Sequence, residues 1–179
     1  MSSFLPENFE ENIKNLEQLN NSVFQPLRNL ISETRNIGEG PIGSATAAEN
    51  TNVTESGPVL LTDYDLVNRI YCIMLWVYWE ELKQNKDDQI FWNFVNADDD
   101  LKELYALRNC LVHCNGSVQK ALLNNLKPDL AEILNDRGRK KNYIKFEVIL
   151  LNPHHLTGFT SMLKTKYKEY KKRQTITEL

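Results

Sequence analysis

The chain has 179 residues, 41% of them apolar, which is enough for the core of one domain but not of two full-sized ones. Its apolar runs are much shorter than the roughly 20 residues of a membrane span, so we expect no membrane association. The first residues contain neither a basic start nor an apolar signal core, and the three cysteines form no paired motif. These features favour a cytoplasmic protein without disulfides.

The net charge of −3 hides an uneven distribution along the chain. Residues 1–136 carry 10 basic and 21 acidic side chains, whereas the basic C-terminal segment, residues 137–173, carries 11 basic and 2 acidic ones. Such a segment can bind a polyanion such as nucleic acid, because phosphate contacts supply most non-specific affinity. It can equally be a solvated surface that keeps the protein soluble.

The first half of the chain contains two helical patterns. Apolar residues recur at steps of three and four over residues 7–36, which predicts an amphipathic helix with a kink or break just before Pro26. Residues 38–58 contain almost no large apolar side chain, so we expect a flexible loop there. A second helix begins near Asp63 and is apolar on more than one side as far as Glu80, which predicts burial in a bundle or against a partner chain.

The second half contains shorter elements. An aromatic stretch over residues 90–95 predicts a helical turn that closes one end of the core. The next helix begins after Asp98 and ends at Asn115-Gly116, and its predicted inner side chains are Leu101, Leu104, Leu107, Leu111 and Val112.

The remaining elements lie in and beside the basic segment. A weaker helix over residues 118–134 is interrupted at Pro128, and a last helix runs from Leu156 to about Arg173. Between them, residues 142–151 are the only convincing strand material, which favours one small β-hairpin before the C-terminal helix. The patterns together predict one all-α domain over residues 1–179.

Residues 107–116, Leu-Arg-Asn-Cys-Leu-Val-His-Cys-Asn-Gly, carry the clearest chemistry. Arg108 and His113 are five residues apart at the end of a helix, so their side chains point about 140° apart. One copy therefore makes a poor site, whereas two copies related by a two-fold axis would place two arginines and two histidines in one cleft.

That set of groups suits the cleavage of RNA without a metal. Imidazoles can move protons to and from the 2′-hydroxyl and the departing 5′-oxygen, and guanidinium groups can hold the phosphate. Asn109 could orient the imidazole or a phosphate oxygen. Two structural interpretations remain open, namely an arginine that pairs with a carboxylate and a histidine that caps the helix end.

The segment from Arg108 to His113 resembles the R-[N/D/H]-x-x-x-H signature of the HEPN superfamily, helical domains of prokaryotes that include many metal-independent endoribonucleases. Residues 75–82, Leu-Trp-Val-Tyr-Trp-Glu-Glu-Leu, are similar to the helix that precedes this motif in the family. The resemblance implies an up-and-down helical bundle, a homodimer that unites the two motifs, and RNA cleavage by a toxin or an antiviral defence effector. It also implies that Arg108, His113 and Asn109 are catalytic.

The resemblance leaves the regulation and the activity open. A cognate antitoxin or a sensor protein is an expected partner, but toxins inactivated by a modifying nucleotidyltransferase have a tyrosine two residues after the histidine, where this chain has Asn115. That route is therefore not expected. Inactive family members bind RNA or a partner protein, and such a module is the alternative function, although those members commonly lack the arginine or the histidine.

Three further sets of residues were weighed. Cys110, His113 and Cys114 could be zinc ligands with His154 or His155, but the C-x-x-C spacing of structural zinc sites is absent, so we expect no metal and no other cofactor. Glu80 and Glu81 are predicted to support the site, at least one of them by pairing with a basic residue such as Arg108. The basic residues predicted to contact RNA are Arg137, Arg139, Lys140, Lys141, Lys164, Lys168 and Lys171.

Overall fold

The computed structural model describes residues 8–30, 63–84, 88–124, 126–145 and 147–177. Within these ranges it confirms a helical fold with one antiparallel hairpin before the last helix. The loop predicted at residues 38–58 lies outside the described residues. The elements are α1 (Phe9–Leu19), α2 (Asp63–Glu80), α3 (Gln89–Asn96), α4 (Asp99–His113), α5 (Val118–Asn124), α6 (Pro128–Lys140), β1 (Ile144–Lys145), β2 (Val148–Ile149) and α7 (Pro153–Thr177).

The first helix is widened near Pro26 and not broken there. A π-helical turn over Asn20–Phe24 follows α1, and the backbone N–H of Gln25 donates to the carbonyl of Asn20, five residues earlier. Residues 25–30 then continue as helix. A proline has no N–H to donate and its ring crowds the carbonyl four residues earlier, so the wider turn accommodates Pro26 without ending the helix.

An aromatic cluster forms the centre of the core. Trp79 of α2 contacts Phe9 of α1 with ring centroids 5.7 Å apart, and Tyr170 of α7 at 6.0 Å. Phe91 of α3 lies 6.2 Å from the same tyrosine ring, so the predicted aromatic turn does close the core. Ring contacts therefore join the first and last helices, α1 and α7, to the central helices α2 and α3.

Helix α2 is buried on one broad face only. Trp76 and Trp79 are fully buried, but the chain leaves a stripe of apolar side chains on the opposite face exposed: Leu66, Ile70 and Val77. The prediction of all-round burial within the bundle is therefore wrong for this stripe, and burial against a partner chain stays a prediction.

Helix α4 is fixed at both ends by local hydrogen bonds. Asp98 caps its start, where Oδ1 accepts from the N–H groups of Asp100 and Leu101 at 3.0 and 3.1 Å. At its other end Gly116 has a φ of +76°, and its N–H donates to the carbonyl of Cys110 at 3.0 Å. The predicted beginning and end of this helix are thus confirmed.

The end of α4 is also held by the buried guanidinium of Arg69 on α2. Its Nη1 donates to the carbonyl of Asn115 at 2.9 Å and its Nη2 to the carbonyl of Ile149 at 2.8 Å. A Cβ at Gly116 would lie only 2.6 Å from Nη2, so this position requires glycine for space as well as for its φ. The motif helix, the hairpin and α2 therefore meet at one point, next to His113.

A buried carboxylate joins α4 to α6 and the hairpin. Glu103 is 0% exposed and accepts from Arg137 Nε at 2.5 Å, Lys141 Nζ at 2.7 Å and the Tyr143 hydroxyl at 2.9 Å. Burial, followed by the charge of Glu103, raises the pKa of Tyr143 well above its usual value. Helix α6 continues past the predicted end at residue 134 to Lys140. This extension places Arg137 and Lys141 beside Glu103.

The start of α7 has a reciprocal cap made by a histidine. The N–H of His155 donates to Asn152 Oδ1 at 3.1 Å, and the N–H of Asn152 donates to His155 Nδ1 at 3.2 Å. The other ring nitrogen, Nε2, lies 2.9 Å from the carbonyl of Lys141, at the end of α6. Since Nδ1 accepts a hydrogen bond and Nε2 donates one, this arrangement requires the neutral imidazole. Burial lowers the pKa of His155, which also favours the neutral imidazole.

None of the described helices combines the length and the apolar character that crossing a membrane requires.

Candidate active site on helix α4

The motif residues lie on the side of α4 that faces away from the core. Leu107 and Cys110 are fully buried, whereas Arg108 and Asn109 are half-buried and His113 is exposed. Val112, which was predicted to face the core, is 45% exposed, so that prediction is wrong. Its position is 40° around the helix from Arg108 by ideal geometry (about 400° for four residues), and both therefore lie on the outer surface.

The guanidinium of Arg108 has no carboxylate partner within the described residues. Its Nη1 donates to Asn109 Oδ1 at 2.8 Å. Its Nε is buried and has no hydrogen-bond partner in the described part of the chain. A permanent cation that is partly removed from water, and whose charge no anion balances, is energetically unfavourable, so this site favours the binding of an anion.

The expected ion pair between Arg108 and the acidic end of α2 does not form. Glu80 accepts from Lys83 Nζ at 2.6 Å and from Trp76 Nε1 at 3.1 Å. Glu81 is exposed and accepts from Asn12 Nδ2 at 3.0 Å. The prediction that one of the two pairs with a basic residue is correct for Glu80, but the basic residue is Lys83 and the orientation of Arg108 depends on Asn109.

His113 is the last residue of α4. The backbone N–H of Cys114, the residue after the helix, donates to the carbonyl of Cys110 at 3.0 Å. The imidazole of His113 makes no hydrogen bond or ion pair with any residue that the structure describes. The interpretation of His113 as a helix cap therefore has no support here, and its ring is accessible for proton transfer.

A groove runs along the outer side of α4. One end is a cleft of about 450 Å³ that is lined by Tyr105, Asn109, His113, Cys114 and Leu126. The other end is a cleft of about 370 Å³, which has the lining residues Trp92, Asn96, Tyr105, Asn109, Leu126, Lys127, Asp129 and Leu130. The two clefts share three of these residues, so we treat them as one groove.

Arg108 does not line this groove. The structure brings Asn109 and His113 together in one cleft but leaves Arg108 on the neighbouring side of α4. This agrees with the angle of about 140° between Arg108 and His113 that helix geometry predicts. A single copy of the chain therefore does not bring the arginine and the histidine to one substrate atom.

One cysteine of the motif is enclosed by the fold. Cys110 is buried and its Sγ donates to the carbonyl of Ser117 at 3.4 Å. Burial, followed by the neighbouring Cys114, raises the pKa of the Cys110 thiol to about 12. In the described ranges no three histidine, cysteine or acidic side chains are grouped as a metal site would require.

Most residues of the predicted RNA-binding set form ion pairs with the chain itself. Arg137 and Lys141 pair with Glu103, and Arg137 also pairs with Asp100. Three more residues of the predicted set form exposed ion pairs: Arg139 with Glu147, Lys140 with Asp136, and Lys164 with Glu17. RNA binding by this set stays a prediction, and each paired cation would have to exchange a carboxylate for a phosphate.

The contacts of Lys168 and Lys171, the other two residues of the predicted RNA-binding set, are of a different kind. Lys168 is exposed and has no ion-pair partner among the described residues. The ammonium group of Lys171 lies 5.3 Å from the centre of the Tyr167 ring.

The aromatic end of the groove lies outside the sequence motif. Tyr105 lies one turn before Asn109 and two turns before His113, so the spacing of four and eight residues could have identified it. Trp92 and Lys127 come from α3 and from the start of α6, and no local pattern connects them with α4.

No family model, curated protein or solved structure matches this chain. The resemblance to the HEPN superfamily therefore depends on the motif and its place in the fold.

Proposed function

We propose that this protein is a metal-independent endoribonuclease of the HEPN type, and that two copies form its active site. The observation that carries the proposal is Arg108, a half-buried cation without a carboxylate partner in the described chain, on the same helix as the exposed imidazole of His113. Arg137 and Arg139, by contrast, pair with carboxylates, and the structural Arg69 donates to two backbone carbonyls.

The reaction assigned to this site is transfer of the phosphoryl bond to the 2′-oxygen of RNA. An imidazole takes the proton of the 2′-hydroxyl as its oxygen attacks phosphorus, and the bond to the 5′-oxygen breaks. A second, protonated imidazole from the partner copy gives its proton to that oxygen. The products are a 2′,3′-cyclic phosphate and a free 5′-hydroxyl, and DNA is not a substrate because it has no 2′-hydroxyl.

Arg108 and Asn109 have electrostatic and positioning roles in this scheme. The guanidinium balances the additional negative charge on the five-coordinate phosphorus, where a fixed cation is most effective. Asn109 accepts from Arg108 Nη1 and so holds its planar group in one orientation. A guanidinium held in this way can present its remaining N–H groups to phosphate oxygens.

The homodimer is part of the proposal because one copy lacks a complete site. Val112 lies between Arg108 and Asn109 in angle on the outer surface, and an exposed apolar side chain there suits contact with a second copy. We expect a mass of twice 20.8 kDa by light scattering. Val112→Glu should yield monomers with native helix content and no cleavage. A wild-type protein that is monomeric at micromolar concentration would contradict the composite site.

The decisive experiment incubates the purified protein with labelled single-stranded RNA in excess EDTA. We expect cleavage by the wild type and none by Arg108→Ala or His113→Ala, with His154→Ala as the control for loss of an exposed histidine elsewhere. RNA that stays intact but shifts on a gel would favour the alternative, an inactive module that binds RNA. If the RNA is neither cleaved nor shifted, both the endoribonuclease and the RNA-binding module are contradicted.

Mixing the two inactive variants tests whether the site is shared. A mixed dimer of Arg108→Ala and His113→Ala keeps one arginine and one of the two imidazoles in the common cleft. One of the two proton transfers is still catalysed, so weak activity, above that of either variant alone, should return after subunit exchange. The control replaces one partner by the double variant, which cannot restore activity. Failure of the mixture, when exchange of subunits is shown independently, would contradict a composite site.

The biological setting follows from the resemblance. A toxin or antiviral defence effector of this kind acts in the cytoplasm and is restrained by a cognate antitoxin or released by a sensor protein. Expression in bacteria with and without the neighbouring open reading frames tests this, since the wild type should arrest growth and His113→Ala should not.

A further inference from the structure

The groove along α4 has a composition that the cleavage reaction itself does not require. Two aromatic rings, two side-chain amides, a lysine and the carboxylate of Asp129 line it, beginning next to His113 and ending at Trp92. We propose that this groove binds unpaired nucleotides of a single nucleic-acid strand, adjacent to the bond that is cut. The position of the groove relative to the cut bond depends on the proposed function, but binding itself does not.

The aromatic wall is the first argument. The rings of Trp92 and Tyr105 meet edge to face at an angle of 61°, with centroids 5.5 Å apart, and both side chains are only partly buried. The chain has three tryptophans, of which Trp76 and Trp79 are 0% exposed. Trp92 is therefore the tryptophan that a ligand can reach. Partly exposed rings in a concave site are the usual surface on which single-stranded bases stack.

The polar wall is the second argument. Asn96 at the end of α3 and Asn109 on α4 present amides, which can pair with the donor and acceptor edge of a base. Asn109 Oδ1 accepts from Arg108, so its Nδ2 is the group that can donate to a ligand. Lys127 is exposed at the rim, where its ammonium can contact a backbone phosphate.

Size and continuity are the third argument. The two clefts have volumes of about 370 and 450 Å³, within the range of roughly 300–1,000 Å³ that is typical of small-molecule sites. Since they share Tyr105 and Asn109, neighbouring nucleotides of one strand can occupy them in sequence. A base in a duplex is paired and stacked on both faces, so we expect the groove to exclude double-stranded RNA.

Tryptophan fluorescence tests the proposal directly, because of the three tryptophans only Trp92 is accessible. The probe is a short single-stranded deoxyoligonucleotide of mixed sequence, which lacks the 2′-hydroxyl and cannot be cut by the proposed reaction. We expect it to quench the emission of the wild type, the corresponding duplex to leave it unchanged, and Trp92→Phe to lose the quenching.

Matched variants then measure the contribution of each wall by anisotropy of the labelled strand. Trp92→Leu should weaken binding at least about fivefold, the lower limit for loss of one stacked base. Asn96→Ala and Lys127→Ala should weaken it too, whereas Asn93→Ala and Lys120→Ala, which are exposed and do not line the groove, should not. The asparagine and lysine pairs keep the test valid if Trp92→Leu does not fold.

The outcomes distinguish this inference from the proposed function. Quenching by the deoxyoligonucleotide without cleavage of RNA would support the groove and contradict the endoribonuclease. Cleavage that requires Arg108 and His113, without quenching and with equal affinity in Asn96→Ala and Asn93→Ala, would overturn the groove. Equal quenching by single and double strands would also overturn it.

Discussion

Replacing Glu103 by alanine should lower the free energy of unfolding by about 3–5 kcal/mol, because one buried carboxylate serves three donors. The Tyr143 hydroxyl is fully buried and would lose its acceptor, at a cost of about 1–3 kcal/mol. The side chains of Arg137 and Lys141 are 28% and 41% exposed, so water can partly hydrate them and each lost pair should cost only about 1 kcal/mol. The truncated side chain leaves a small cavity that adds to these losses.

Urea denaturation followed by circular dichroism measures this change. In a chain of this length the loss corresponds to a melting temperature lower by roughly 10 °C. Glu103→Gln keeps an acceptor for Tyr143 and should lose about half as much. Glu147→Ala is the matched control, since its pair with Arg139 is exposed and should contribute at most about 1 kcal/mol. If Glu103→Ala and Glu147→Ala were equally mild, the idea that this network holds α4 to α6 would be wrong.

Three further predictions concern backbone, pH and charge. Gly116→Ala should destabilise by about 1–3 kcal/mol in the same denaturation assay, because of the positive φ and the adjacent Arg69 guanidinium. The contribution of His155 to the free energy of unfolding should be complete above about pH 6.5. It should fall as the pH drops from there through the lowered pKa of His155, because the histidine of the unfolded chain takes up a proton first. His155→Gln should flatten this dependence of the melting temperature, and His154→Gln should not. If RNA binds the basic segment, Lys168→Ala should reduce the slope of log affinity against log salt by about 0.7, whereas Lys164→Ala, already paired with Glu17, should change it less.

Elements with a strong local signal could be predicted from the sequence. The carboxylate of Asp98 and the glycine at position 116 mark the two ends of α4, and both act there through hydrogen bonds within a few residues. The hairpin follows from one stretch of β-branched and aromatic residues. Val112 was misplaced because it follows the buried Leu111 directly, and a step of 100° at the edge of an apolar face moves a side chain from the core to the surface.

The candidate site was predictable only where a single helix determines it. Helix geometry alone indicates that Arg108 and His113 diverge, and the structure agrees, since Arg108 is absent from the groove that His113 lines. The groove itself could not be predicted, because Trp92, Tyr105 and Lys127 come from three different elements. Contacts of this kind depend on how helices pack, which no local period encodes.

The division of charge along the chain has a structural explanation that composition does not reveal. Basic residues of the C-terminal segment, which begins at position 137, pair with five carboxylates that precede it: Glu17, Asp98, Asp100, Glu103 and Asp136. One of these pairs, Lys164 with Glu17, joins residues 147 positions apart. The acidic body and the basic C-terminal segment therefore attract each other within one chain, and much of the positive charge that favours a polyanion in the sequence is neutralised on folding. Because Arg108 lies outside this pairing, an unbalanced cation on the same helix as an accessible histidine is stronger support for phosphate chemistry than the larger number of lysines in the last helix.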